Sequence, residues 1–237
     1  MLLRRLFPLV LLTALVCSAT TMVSVTFTAL PASTVSLEGD TYYAGFATAT
    51  INGIPSQYLI CDDFADHMSA TVFNGSDPLI YDYSTLSADI PLGNSAPVRF
   101  PLEMGPLYEQ AAVLVYDLAT ASSPTGTQIG DYQAAIWSTL DPSQLPASSL
   151  DSNAQADITA AQQTLSTASA AWLNALYAST NIYMPDANSG YSQYASSGAP
   201  QEFLQYTPSA GTPEPGTALL GGALILAGVA FRRYRQR

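Results

Sequence analysis

Hydrophobic and polar positions alternate along residues 23–30 (VSVTFTAL) and again along 43–51 (YAGFATATI), with β-branched and aromatic side chains dominating both runs. That period of two predicts two strands. Asn52-Gly53 is a hairpin signal and leads into a third predicted strand over 57–61. Further extended segments are expected at 70–73, 79–83 and 98–102, separated by Gly, Pro, Asn and Asp. Beyond Pro106 the period changes. Leu107, Ala111, Leu114, Val115 and Leu118 share one helical face and predict a helix over 106–121. A short helix is expected over 131–140, ending before Asp141-Pro142. A longer one is expected over 152–178, where Ile158, Ala161, Leu165, Ala168, Trp172 and Leu176 recur every three or four residues. Residues 201–207 read as a final strand. The expected fold class is therefore α+β: a mostly β first half, about 23–104, packed with a helical second half, about 106–178, and no internal repeat.

Two apolar runs stand apart from this pattern. Residues 1–19 have Arg4 and Arg5 ahead of an apolar stretch over 6–16 and the small residues Ser18 and Ala19, the anatomy of a cleaved secretory signal peptide. Near the other end, Pro213-Glu214-Pro215 precedes a glycine-rich apolar run over 216–231 and the cluster Arg232, Arg233, Arg235 and Arg237. Sixteen helical residues reach roughly 24 Å, a little short of a hydrocarbon core of about 30 Å, so spanning draws on flanking residues or local thinning. The arginines are expected to stay cytoplasmic, which places everything before Pro213 outside. The organisation expected is a signal peptide at 1–19, one extracytoplasmic domain at 20–208, a linker at 209–212 and a C-terminal segment at 213–237 carrying a transmembrane helix.

Charge sharpens this division. The chain has 237 residues and a formal net charge of -11; all seven basic residues are arginine, and Arg99 alone lies between the two ends. Residues 20–212 carry 17 acids against that one arginine, 1 − 17 = −16. Such a body excludes nucleic acid as a partner, because phosphate contacts need basic patches. At 48% hydrophobic and 11% charged residues, the chain is that of a folded protein rather than an acidic disordered tail.

The triplet, the apolar span and the basic tail, together and in that order, resemble the PEP-CTERM sorting signal of Gram-negative bacteria. The resemblance implies an exosortase-type processing protease as partner, membrane anchoring through the C-terminal helix before processing, and then a cell-surface or exopolysaccharide-matrix destination. It covers only the last 25 residues and implies nothing about the ectodomain.

Candidate chemistry centres on Cys61, the one cysteine left after signal removal. A lone thiol in an exported protein forms no internal disulfide; it is buried, paired between molecules, or used chemically. Its setting is Tyr58-Leu59-Ile60-Cys61-Asp62-Asp63-Phe64, at the end of a predicted strand, and Gln133-Ala134-Ala135-Ile136-Trp137 follows on the short helix. Together the two segments resemble the internal thioester domains of Gram-positive surface adhesins. That resemblance implies Cys61 as the thiol, Gln133 as the acyl donor, and a surface or matrix polymer bearing amines or hydroxyls as partner. If Gly130 or Asp131 caps the short helix, Gln133 falls in its first turn, where free N–H groups favour a developing oxyanion. The alternative is a non-reactive structural or carbohydrate-associated matrix protein in which Cys61 is a buried small hydrophobe.

The remaining candidates are weaker. His67, the only histidine, is a possible proton shuttle for attack on the thioester, and a Cys-His hydrolase lacks an orienting group. Asp62, Asp63 and Asp66 offer a calcium option without the spacing of a calcium-binding loop, and read as solvated loop charge. No cofactor is expected, and no turnover enzyme: at most a single-turnover covalent attachment. Trp137 and Trp172 fall on apolar helix faces and are expected in the core.

Overall fold

A computed structural model of the chain describes residues 21–64, 78–89, 105–185 and 201–208. Its strands are β1 (Thr21–Ala29), β2 (Ser33–Leu37), β3 (Asp40–Ala44), β4 (Phe46–Ile51), β5 (Ile54–Cys61), β6 (Leu79–Thr85), β7 (Thr180–Pro185) and β8 (Phe203–Tyr206). Its helices are α1 (Leu86–Asp89), α2 (Gly105–Thr120), α3 (Gly126–Leu140), α4 (Ser152–Thr167) and α5 (Ala170–Ser179), with a 3-10 turn at Ala147–Ser149. The strand-rich first half and helical second half make an α+β fold.

Six strands close into an antiparallel barrel in the order β1-β4-β5-β8-β7-β6, with β6 returning to β1. Closure removes the open edges of the sheet. The period-two pattern explains the filling: Val23, Val25, Phe27, Ala47, Ala49, Leu59, Tyr81, Tyr183 and Phe203 pack together inside. Their neighbours Ile60, Ile182, Met184 and Leu204 face the other way, into a second core shared with the helices. Strands β5, β8 and β7 are thus apolar on both faces, which is why their sequences run LIC, IYM and FL instead of alternating.

Several expected elements differ in their bounds. The single strand expected over 43–51 is two strands, β3 and β4, interrupted at Gly45 with φ +96°. The first of them pairs with β2 through a two-residue turn at Glu38-Gly39, both at positive φ. The expected Asn52-Gly53 turn is present, joining β4 to β5. The helix expected over 152–178 breaks at Ala168, and Ser169 caps α5 by accepting from the Trp172 N–H at 3.2 Å. β7 follows directly after it. The apolar period had run unbroken across the break, because α4 and α5 bury the same side against one core.

Among the described residues no helix is long and apolar enough to cross a membrane. The expected signal peptide, the segments at 70–73 and 98–102, and the 216–231 span with its flanking motif and arginines lie outside the described residues.

Candidate functional site

Cys61 closes β5, and alternation with Leu59 turns it toward the barrel interior, where it touches both the barrel core and the helical core. The β2–β3 hairpin lies beside this end of the barrel, and α3 packs across the hairpin. Close approach requires glycine at two points. A Cβ on Gly130 would stand 3.3 Å from Val35 Cβ, and one on Gly45 would stand 2.6 Å from Ile129 Cγ2. These contacts bring mid-α3 against the end of β5.

The residue that arrives there is Gln133, 1% exposed. Its side-chain amide is held in one orientation. Nε2 donates to the Cys61 carbonyl oxygen at 2.6 Å, and Oε1 accepts from the Gly45 backbone N–H at 3.1 Å. Since the Gly45 amide can only donate and the Cys61 carbonyl can only accept, the two bonds assign oxygen and nitrogen without ambiguity. The Cys61 thiol, part-buried, donates to the Asp63 carbonyl oxygen at 3.2 Å. Cys61 and Gln133, seventy-two residues apart in sequence, are thus joined through the Cys61 backbone carbonyl and line one cavity.

The expectation that Gln133 lies in the first turn of a short helix is not met. Thr125 is the N-cap of α3, in a capping box: its hydroxyl accepts from the Gln128 N–H at 3.3 Å and Gln128 Oε1 accepts from the Thr125 N–H at 2.9 Å. The helix starts five residues earlier than expected, and the Gln133 N–H is engaged within it. The N–H beside the Gln133 carbonyl comes from Gly45, between β3 and β4. A glycine interrupting an alternating strand pattern was the available signal, since such a residue marks a bulge or close backbone approach.

A cavity of about 420 Å³ opens over the pair. Asp40, Tyr42 and Tyr43 of the hairpin, Trp137 of α3 and Gln201 before β8 line it together with Cys61 and Gln133. Tyr42, Phe64 and Trp137 form an aromatic wall with ring centroids 5.2 to 6.0 Å apart. Burial, then Asp40 and Glu38, raises the Tyr42 phenol above its usual pKa, so it stays protonated at neutral pH. Trp137 is buried, as expected, but among the described residues its indole N–H has no hydrogen-bond partner.

Asp62 and Asp63 are fully buried, so solvated loop charge is the wrong reading for both. The backbone explains it: the Asp62 N–H reaches the Glu202 carbonyl at 3.4 Å, which carries the β5–β8 pairing one residue further and draws the chain inward. Glu202 is also fully buried and accepts from the Tyr108 hydroxyl of α2. Among the described residues no group of three or more His, Cys, Asp or Glu side chains is placed to hold a metal ion. Asp66 and His67 lie outside the described residues.

A second acidic group lies where α2, α3 and α4 meet. Burial, with Asp157 adding to it, raises the Asp117 carboxyl to about 6. Burial, with Asp131 and Asp151 adding to it, raises Asp157 to about 6 as well. Asp131 is raised by burial and by Asp151, with Asn153 Nδ2 donating to it at 3.4 Å.

Compared with protein-family models, characterised proteins and solved structures, the chain finds no match to any of them.

Proposed function

We propose that the protein is an exported surface or matrix protein in which Cys61 and Gln133 form an internal thioester and couple it covalently, once, to a partner bearing a hydroxyl or amine. The observation that carries this reading is the Gln133 carboxamide fixed between the Gly45 N–H and the Cys61 carbonyl beside the only described thiol. In forming the bond, Cys61 Sγ adds to Gln133 Cδ and the resulting oxyanion is held by the Gly45 N–H. The C–N bond then breaks, and ammonia leaves with the thiol proton. Attack by the partner's nucleophile on the same carbon makes an ester or amide and returns the proton to Cys61 sulfur. The aromatic wall and buried setting favour survival of the acyl group by restricting water.

The test is the mass of the full-length chain, purified in mild detergent, beside that of Cys61→Ala. The wild type alone is expected to fall short of its calculated mass by one ammonia, and methylamine should restore mass as an adduct on Gln133. A full wild-type mass, with a thiol that titrates completely under native conditions, leaves a non-reactive surface or matrix protein. The Sγ–Asp63 hydrogen bond is the observation that favours that second reading.

Delivery rests on the sequence. The chain is proposed to be exported, anchored in the inner membrane by residues 216–231 with its ectodomain outside the cytoplasm, and released to the surface or exopolysaccharide matrix by an exosortase-type protease acting at the Pro213-Glu214-Pro215 signal. Replacing that triplet with alanines should leave an uncleaved, membrane-bound form on immunoblots of fractionated cells; unchanged tail removal counts against the signal.

A further inference from the structure

The β2–β3 hairpin stands outside the barrel as a two-stranded sheet, and its two edges differ. Because the hairpin turns through two residues, Leu37 and Asp40 form a hydrogen-bonded pair, and the kind of pair alternates from there. Ser36 with Thr41, and Thr34 with Tyr43, are therefore non-hydrogen-bonded pairs, whose backbone N–H and C=O groups point away from the partner strand. On β2 that outward side is covered by α3: the Thr34 carbonyl oxygen stands 3.4 Å from where a Cβ on Gly130 would lie. On β3, no strand among the described residues pairs with the outward groups of Thr41 and Tyr43.

This open edge borders the cavity over Cys61 and Gln133. Asp40, Thr41, Tyr42 and Tyr43 are consecutive, and all four line it. Side chains of a strand alternate between faces, so a cavity that touches four residues in a row runs along the strand's edge. Gly45, two residues past Tyr43, donates its N–H into the same site, onto Gln133 Oε1. The edge also lacks the devices that usually disable one. Residues 40–44 hold no proline, no lysine and no positive φ, and their register with β2 runs without a shift. By contrast β5, which β8 pairs at Ile60 and Cys61, carries Pro55 and Ser56 at φ +58° in the stretch before them.

Outward N–H and C=O groups repeating every two residues, about 6.8 Å, are matched by another extended polypeptide backbone. Charge narrows the occupant. Glu38 and Asp40 are exposed at the turn end of this edge, and the described residues contain no lysine, arginine or histidine. A second copy of this acidic chain would set like charge against like. We propose that the free edge of β3 is a docking site for an extended, basic segment of another protein, which adds to the hairpin as a third strand and lies along the cavity. Two strands alone make a marginal sheet, and a third strengthens it, with the exposed Tyr43 ring available for a cross-strand contact. The inference concerns binding alone and stands whether or not the thioester forms.

The test uses the full-length Cys61→Ala chain in mild detergent, which has no thioester. It is titrated against a fluorescein-labelled octapeptide of alternating valine and threonine with a lysine at each end, read by fluorescence anisotropy. Saturable binding is expected. N-methylating the two central amides removes a donor from whichever side faces β3 and should weaken binding about tenfold. Glutamates in place of the lysines should weaken it about tenfold at low salt. On the protein, Thr41→Pro deletes an outward N–H that the hairpin does not use, and should weaken binding about tenfold with little change in thermal midpoint. No saturable binding, or an N-methylated peptide that binds as tightly, overturns strand addition however Thr41→Pro folds. Undiminished binding by a Thr41→Pro chain that keeps its thermal midpoint also overturns it. Equal binding of the glutamate peptide overturns the basic partner, and dimers in sedimentation that exclude the peptide would give the edge to a second copy instead.

Discussion

Gly45 shows how much one residue without a side chain decides. With φ at +96° it separates β3 from β4, and its N–H donates to Gln133 Oε1. A methyl group there would meet Ile129 Cγ2 at 2.6 Å and would hold an L residue in a left-handed conformation. Gly45→Ala is therefore expected to cost roughly 1–3 kcal/mol of stability and, on the proposed thioester chemistry, to slow ammonia loss from Gln133 markedly. Thermal unfolding and a time course of intact mass check the two effects; a variant as stable and as reactive as wild type would remove Gly45 from the site. At the same scale, Gln133 was legible as a candidate from its sequence neighbours, whereas its donor was not. The Gly45 N–H is a backbone group, and only its position in space distinguishes it from every other amide.

Among elements, α3 carries the site because it is held on two sides. The hairpin touches it at Gly130, and α2 and α4 pack against its other face, bringing Asp117, Asp131 and Asp157 together with the Tyr132 hydroxyl and the α4 cap Asp151. Among the described residues, the titratable groups that act on one another at this seam are acids and a phenol. A carboxyl whose folded pKa is raised binds its proton more tightly folded than unfolded. The stabilisation from protonating Asp117 and Asp157 is thus complete below about pH 4 and is lost as pH rises through about 6. The urea midpoint should be higher at pH 5 than at pH 7.5, and Asp117→Asn should flatten that difference. A midpoint that rises between pH 5 and 7.5 would contradict the burial of these groups. The sequence places the start of α3 too late because Pro124, Gly126 and Gly130 are helix breakers; the Thr125–Gln128 capping box and the packing of Gly130 on Val35 offset the cost of both glycines.

For the whole molecule, the controlling feature is the shared wall formed by β5, β8 and β7. Leu59, Phe203 and Tyr183 fill the barrel while Ile60, Leu204 and Ile182 fill the helical core, so neither layer is complete without the other. Leu204→Ala removes a fully buried side chain from the helical side and is expected to destabilise by about 2–5 kcal/mol. Tryptophan fluorescence, which reports Trp137 and Trp172 in the helical layer, and far-ultraviolet circular dichroism should then lose their signals at one lowered denaturant midpoint. Separate midpoints would mean that barrel and helices fold independently.

The sequence by itself determined the α+β division, most strand and helix positions, the Asn52-Gly53 turn and the candidates Cys61 and Gln133. These follow from local rules: a period of two or of three to four, and turn chemistry, act over a few residues and leave a direct trace. Tertiary structure decided what those rules do not reach. It closed β1 to β6, split the 43–51 and 152–178 segments, and buried Asp62 and Asp63. It also laid the Gln133 carboxamide between the Gly45 amide and the Cys61 carbonyl. The physical reason is that strand pairing, close helix approach and hydrogen bonds across 72 or 88 residues depend on distances in space, and no local pattern of side chains encodes them.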